Sequence, residues 1–144
     1  MNNPLVISLI SASGSIFVAA LSYWFTKQRE RDAEWRKQKL EHYRSLMVAI
    51  SGVVKEHATV ESYRVYADAS NVIGLVASQD VVQRLQDFRH ITRSSNPNVS
   101  MEEHDRALTA LVLSIRRDLG VSPKDDPSTF KYILWAMPSE PNTT

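Results

Sequence analysis

Residues 4–39, PLVISLISASGSIFVAALSYWFTKQRERDAEWRKQK, change character once, between Phe25 and Lys27. The chain has 144 residues with 17 Lys and Arg and 16 Asp and Glu, and none of these lies in the first 26 positions. A net charge of +1 therefore averages two segments meant for different solvents. Pro4 to Phe25 is an uncharged run that spans about 33 Å as a helix, roughly the hydrocarbon thickness of a bilayer. The reading is a transmembrane helix. A cleaved secretory signal would need a basic start and a shorter apolar core, whereas only Asn2 and Asn3 precede this run. Tyr23 and Trp24 stand where an aromatic belt belongs, and Lys27, Arg29, Arg31, Arg36, Lys37 and Lys39 follow at once. Positive charge on one flank predicts the N-terminus outside and the C-terminus in the cytoplasm.

The apolar run carries a stripe. At about 100° per residue, Ser8, Ser11, Ala12, Ser15, Ala19, Ser22 and Thr26 share an arc roughly 100° wide, with Ile10, Phe17, Leu21 and Trp24 opposite. Small hydroxyl-bearing residues let helix backbones approach closely in lipid, so one reading is self-association. The other is that Ser8, Ser11, Ser15, Ala19, Ser22 and Thr26 line a water-filled pore, which a single span can enclose only as a ring of copies. Ser13 falls off the stripe, where its hydroxyl can bond back to its own helix.

Downstream, the pattern predicts one all-α domain. Residues 27–42, KQRERDAEWRKQKLEH, contain both signs of charge and no helix breaker, so the helix continues out of the membrane as a charged stalk, with Asp32 and Arg36 spaced to pair. Trp35, Tyr43, Leu46, Met47, Ile50, Val53 and Val54 then supply a buried face, and Gly52 is a possible kink. A second helix is expected over Val60 to Val76 with Tyr63, Tyr66, Ala67 and Ile73 inward, and a third over Gln79 to Thr92 with Val81, Val82, Leu85, Phe88 and Ile91 inward. Arg93 to Asn98 reads as a loop. Ser100 with Glu103 forms a capping box for a fourth helix whose core face is Ala107, Leu108, Leu111, Val112, Ile115 and Leu119, and Gly120 stands at its end. The hexad Phe130 to Trp135 reads as strand or short helix, either a lid over the bundle or a contact with another subunit. The expected organisation is 1–26 transmembrane, 27–42 stalk, 43–137 cytoplasmic helical domain and 138–144 mobile tail.

Catalytic patterns do not appear. No phosphate-binding glycine loop, paired-histidine metal motif or nucleophile elbow occurs, and the chain has no cysteine. No cofactor, metal site or enzymatic activity is therefore expected. His104-Asp105 is a lone dipeptide that reads as a packed or capping histidine, and Asp125-Asp126 as a solvated turn, since a hard cation needs more oxygens than two neighbours supply. One cationic set points to a ligand: Arg89, Arg93 and Asn96 near the third helix's end, with Arg116, Arg117 and Lys124 near the fourth's. Guanidinium groups recognise phosphate in bidentate fashion, so the set suits an anionic second messenger. Antiparallel helices would separate the two groups within one subunit, leaving contact between subunits. The competing reading is surface residues paired with Asp87, Glu102, Asp105 and Asp118.

The phrases WFTKQRERDAEWRKQKLEHYRSLMVAISGVV, RSSNPNVSMEEHDRALTALVLSIRRDLG and DDPSTFKYILWAM together resemble a widespread group of small single-pass bacterial proteins, over nearly the whole chain. One branch of that group looks like the membrane effector of the Hailong anti-phage defence system. The resemblance implies a homo-oligomer, a tetramer, in the bacterial inner membrane. It further implies an ion channel opened by a deoxyadenylate second messenger from a nucleotidyltransferase partner, with no large nucleic acid bound. It maps no ligand residue onto this chain. The alternative function is a membrane-tethered scaffold or regulatory subunit that recruits a cytoplasmic partner.

Overall fold

A computed structural model describes residues 4–54, 58–92 and 99–134, with side chains at Gly14 and from Phe17 onward. The chain is all-helical: α1 runs Pro4–Val53, α2 Val60–Val76, α3 Gln79–Ile91 and α4 Met101–Asp118, and no strand occurs among the described residues. It divides into two units, Met1–Gln38 and Lys39–Thr144.

The first unit is the N-terminal part of α1. Pro4 opens it, where a missing amide costs nothing, and no proline follows until Pro97. Among the described residues no helix is long and apolar enough to cross a membrane. The described apolar side chains of α1 run from Phe17 to Phe25, and nine helical residues rise only about 14 Å, roughly half a bilayer core. The remaining side chains of the expected span lie outside the described residues. Tyr23, Trp24 and Phe25 are exposed, and Trp24 meets Phe25 edge to face at 5.3 Å. Along the stalk Lys27 pairs with Glu30 at 2.9 Å, whereas the expected Asp32–Arg36 pair does not form.

In the second unit the core begins at Tyr43, later than expected, since Trp35 is half exposed. Tyr43, Leu46 and Ile50 of α1 meet Ile73 of α2, Val81, Leu85 and Phe88 of α3, and Leu108, Leu111, Val112 and Ile115 of α4. α3 and α4 form the most extensive helix pair. Phe88 near the end of α3 touches His104 near the start of α4 at 5.3 Å, so the two run antiparallel. Gly52 sits within α1, where a Cβ would meet Ser62 of α2 at an ordinary 3.9 Å.

The boundaries follow local chemistry. Thr59 caps α2 by accepting from the Ser62 amide at 3.1 Å. The capping box of α4 is complete: the Glu103 amide donates to the Ser100 hydroxyl at 3.2 Å, and the Ser100 amide to the Glu103 carboxylate at 2.9 Å. Gly120 takes φ 67°, a conformation that costs glycine little. The inward face of α2 departs from expectation. Ser70 and Ile73 are buried, while Tyr63 and Ala67 are exposed and Tyr66 is half-buried. Both buried residues of α2, Ser70 and Ile73, fall in its C-terminal half, the part that leads into α3.

Phe130 to Leu134 is neither helix nor strand. Phe130, Tyr132 and Leu134 pack on the core while Lys131 and Ile133 face outward, the period-two alternation of extended chain. Thr109 of α4 secures it, since its hydroxyl donates to the Tyr132 carbonyl and accepts from the Tyr132 amide, each at 3.1 Å. Trp135, the last residue of the hexad, and the tail 138–144 lie outside the described residues.

Candidate functional site

The last turn of α4 carries Arg116, Arg117 and Asp118, and about 100° per residue sends them in three directions. Arg116 reaches across the following turn to Asp125: its Nε donates to Oδ2 at 2.7 Å and its Nη2 to Oδ1 at 2.8 Å, a bidentate fork. Its guanidinium lies 5.4 Å from the Phe130 ring centre, a cation–π distance. The hydrogen bonds from Arg116 hold the Asp125 carboxyl below the usual carboxylate range, with the charges of Arg116 and Arg117 adding to them and burial opposing. Asp126 closes the same turn by accepting from the Ser128 amide at 2.8 Å and the Ser128 hydroxyl at 2.7 Å. Both aspartates are therefore engaged as parts of a turn.

Arg117 points elsewhere. It lines a cavity of about 570 Å³ with Gly120, Val121, Ser122, Lys124, Asp125 and Pro127. Neither Arg117 nor Lys124 forms an ion pair within the described residues. A helix C-terminus normally repels anions, but this one is covered by its own turn. The Leu119 amide donates to Ile115 at 2.9 Å, Gly120 to Arg117 at 3.0 Å and Val121 to Arg116 at 3.0 Å. With Asp125 forked to Arg116, the cavity presents Arg117 and Lys124 beside a helix end whose Ile115, Arg116 and Arg117 carbonyls are hydrogen-bonded.

Asp118 faces back to α1. Lys39 Nζ donates to its two oxygens at 2.9 and 3.1 Å, and the Tyr43 hydroxyl donates to Oδ2. Burial raises the Asp118 carboxyl, but hydrogen bonds from Tyr43 and Lys39, the Lys39 charge and a smaller contribution from Ser78 bring it below the usual range. The Tyr43 hydroxyl is pushed far up, first by burial and then by Asp118. Sequence reasoning missed this cluster. The available signals were Lys39 and Tyr43 one turn apart, and an aspartate at the helix end where a negative charge is least stable.

No protein-family model matches this chain. No curated protein or solved structure is significantly similar to it either. The site is therefore read from geometry alone. Arg116, Arg117 and Lys124 come together around one turn, whereas Arg89, exposed on the last turn of α3, belongs to the opposite end of the antiparallel pair. Arg93 and Asn96 lie outside the described residues. Of the stripe, Ala19, Ser22 and Thr26 are exposed, and the Thr26 hydroxyl donates to the Ser22 carbonyl at 2.9 Å. The side chains of Ser8, Ser11 and Ser15 lie outside the described residues.

A second cavity of about 550 Å³ between α3 and α4 is rimmed by charges already paired, Arg84 with Asp87 at 3.5 Å and Arg106 with Glu102 at 2.9 Å. His104 is packed against Phe88 with its Nδ1 buried and without a hydrogen-bond partner. Among the described residues no group of three or more His, Asp or Glu side chains could hold a metal ion.

Proposed function

We propose that this chain is an oligomeric membrane effector: an apolar N-terminal helix forms an ion-conducting assembly, and the C-terminal helical unit opens it on binding an anionic nucleotide signal. The observation that carries the reading is the cavity lined by both Arg117 and Lys124, neither of which forms an ion pair among the described residues. The uncharged run from Pro4 to Phe25, the exposed Tyr23 and Trp24 and the basic stretch behind them support single-pass insertion with the second unit in the cytoplasm. α1 continues from that run to Tyr43, and Asp118, next to Arg117, grips α1 at Lys39 and Tyr43. A ligand that distinguishes two positions of the α4 end thus has a covalent and hydrogen-bonded route to α1. The resemblance to the Hailong effector group supports a deoxyadenylate messenger and a tetramer in the bacterial inner membrane.

The test is potassium efflux from liposomes containing the full chain, with short deoxyadenylate oligomers as the probe. Efflux should follow the oligomer in wild type and in Lys37→Glu, and should be lost in Arg117→Glu. A monomer by native mass spectrometry in detergent, or efflux from Arg117→Glu equal to wild type, would overturn the proposal. Arg116 is unsuitable for this test because its reversal breaks the turn. A membrane-tethered scaffold is the second reading. It is favoured by the apolar surface of α2, where Val60 is 88% and Leu75 85% exposed.

A further inference from the structure

We propose that the cavity at the end of α4 takes the terminal, doubly charged phosphate of an organic phosphomonoester, held between Arg117 and Lys124. This rests on the anion-binding reading above and adds which end of the ligand enters.

Charge balance is the first argument. Arg117, Lys124 and Asp125 are the charged side chains lining the cavity. Asp125 has both oxygens bonded by the Arg116 fork, which is the main cause holding its carboxyl below the usual range, and the Arg117 charge contributes less, so Arg116 is its principal partner. The Ile115, Arg116 and Arg117 carbonyls near the end of α4 accept from the amides of Leu119, Val121 and Gly120. Arg117 and Lys124, neither of which forms an ion pair among the described residues, thus line one space. A phosphodiester, with one negative charge, would leave one of them uncompensated, and a phosphomonoester at neutral pH compensates both. Lys124 supplies a mobile point charge and Arg117 a planar fork, a combination suited to the three equivalent oxygens of a terminal phosphate.

Shape is the second argument. At about 570 Å³ the space far exceeds one phosphate group and falls within the range of small-molecule sites. Val121, Pro127 and Gly120 form the apolar part of its wall beside Ser122, and apart from its chain neighbours nothing lies within 4 Å of where a Cβ on Gly120 would stand. The organic part of the ligand has somewhere to rest once the phosphate is seated. Such a terminus can belong to a free nucleotide or to a lipid headgroup such as phosphatidic acid, and the same chemistry recognises both.

The experiment uses the full chain in neutral detergent. Adenosine 5′-monophosphate and its methyl phosphodiester, identical apart from the second charge, are titrated by phosphorus NMR and calorimetry. Vesicles containing phosphatidic acid or phosphatidylglycerol form the parallel lipid arm. The monoester should bind about tenfold or more tightly than the diester, as expected for one further charge-assisted contact. Its affinity should rise between pH 5 and 7.5 as the second phosphate proton is lost near pH 6. The diester should show no such rise. The titratable and charged groups around the phosphate are Arg116 and Arg117 on α4 and Lys124 and Asp125 on the turn, with Asp126 beyond, and hydrogen bonds hold the Asp125 and Asp126 carboxyls below the usual carboxylate range.

Arg117→Gln and Lys124→Gln, both at exposed positions, should each weaken the monoester at least about fivefold and erase its advantage over the diester. Preference for phosphatidic acid vesicles over the soluble monoester would assign the source to lipid and support the proposal. Equal affinity for monoester and diester, with Arg117 still required, overturns it while leaving the anion site standing. Failure of every probe to bind wild type overturns both.

Discussion

Replacing Tyr43 by Phe removes one oxygen and leaves the ring in place, which isolates the clamp between α1 and the end of α4. The ring is 2% exposed, and its hydroxyl donates to Asp118, an acceptor that also holds Lys39 at 2.9 Å. A hydrogen bond to a charged partner contributes about 1.5–3 kcal/mol. The lower end applies, because Lys39 remains with the carboxylate and the buried hydroxyl's own desolvation cost disappears with it. A loss of about 1.5 kcal/mol should lower the melting temperature of the second unit by roughly 6 °C, taking the sensitivity of domains near 100 residues. Thermal unfolding of the full chain in detergent, followed by circular dichroism, measures it.

The pH dependence has a definite sign. Asp118 has its native value below the unfolded one, so the stability it contributes is fully present above the unfolded value near 4 and is lost as pH falls through the native value. The gap between wild type and Tyr43→Phe should therefore be widest at neutral pH and narrow in acid. In a double-mutant cycle with Asp118→Asn the coupling should exceed about 0.5 kcal/mol. A Tyr43→Phe melting temperature within about 1 °C of wild type at pH 7, or a gap that widens in acid, would refute the account of Asp118 as the acceptor that fastens α1.

Ser100→Ala should cost about 1 kcal/mol by denaturant unfolding, since it removes the hydroxyl that caps the Glu103 amide. Gly120→Ala should cost about 1 kcal/mol despite open space around it, because the penalty lies in the positive φ of 67° and not in contact. A C-terminal reporter active only in the cytoplasm should be active, and one active only in the periplasm silent; the reverse would remove the inserted orientation and every argument for a cytoplasmic ligand.

The helices were legible because their signals are local. Thr59 before Val60, Ser100 with Glu103 and Gly120 after Asp118 act over three or four residues, and the apolar spacing of α3 and α4 marks the same face that packs. α2 was legible in extent but not in orientation. Its tyrosines satisfy a helical pattern, yet among the described residues no element covers Tyr63, and periodicity cannot show how far along its length a neighbour reaches. The extended path of Phe130 to Leu134 depends on Thr109, 23 residues from Tyr132 in sequence, so its own composition left strand and helix equally open.

The candidate site divides the same way. Composition pointed to Arg116, Arg117 and Lys124 as cations near one helix end. That Arg116 is engaged by Asp125 while Arg117 forms no ion pair among the described residues was decided by the tertiary structure. The Asp118 clamp joins residues 79 and 75 apart in the chain. At such separations a one-dimensional pattern carries no information, because packing α1 against α4 is what brings Lys39 and Tyr43 to the carboxylate and makes its burial tolerable.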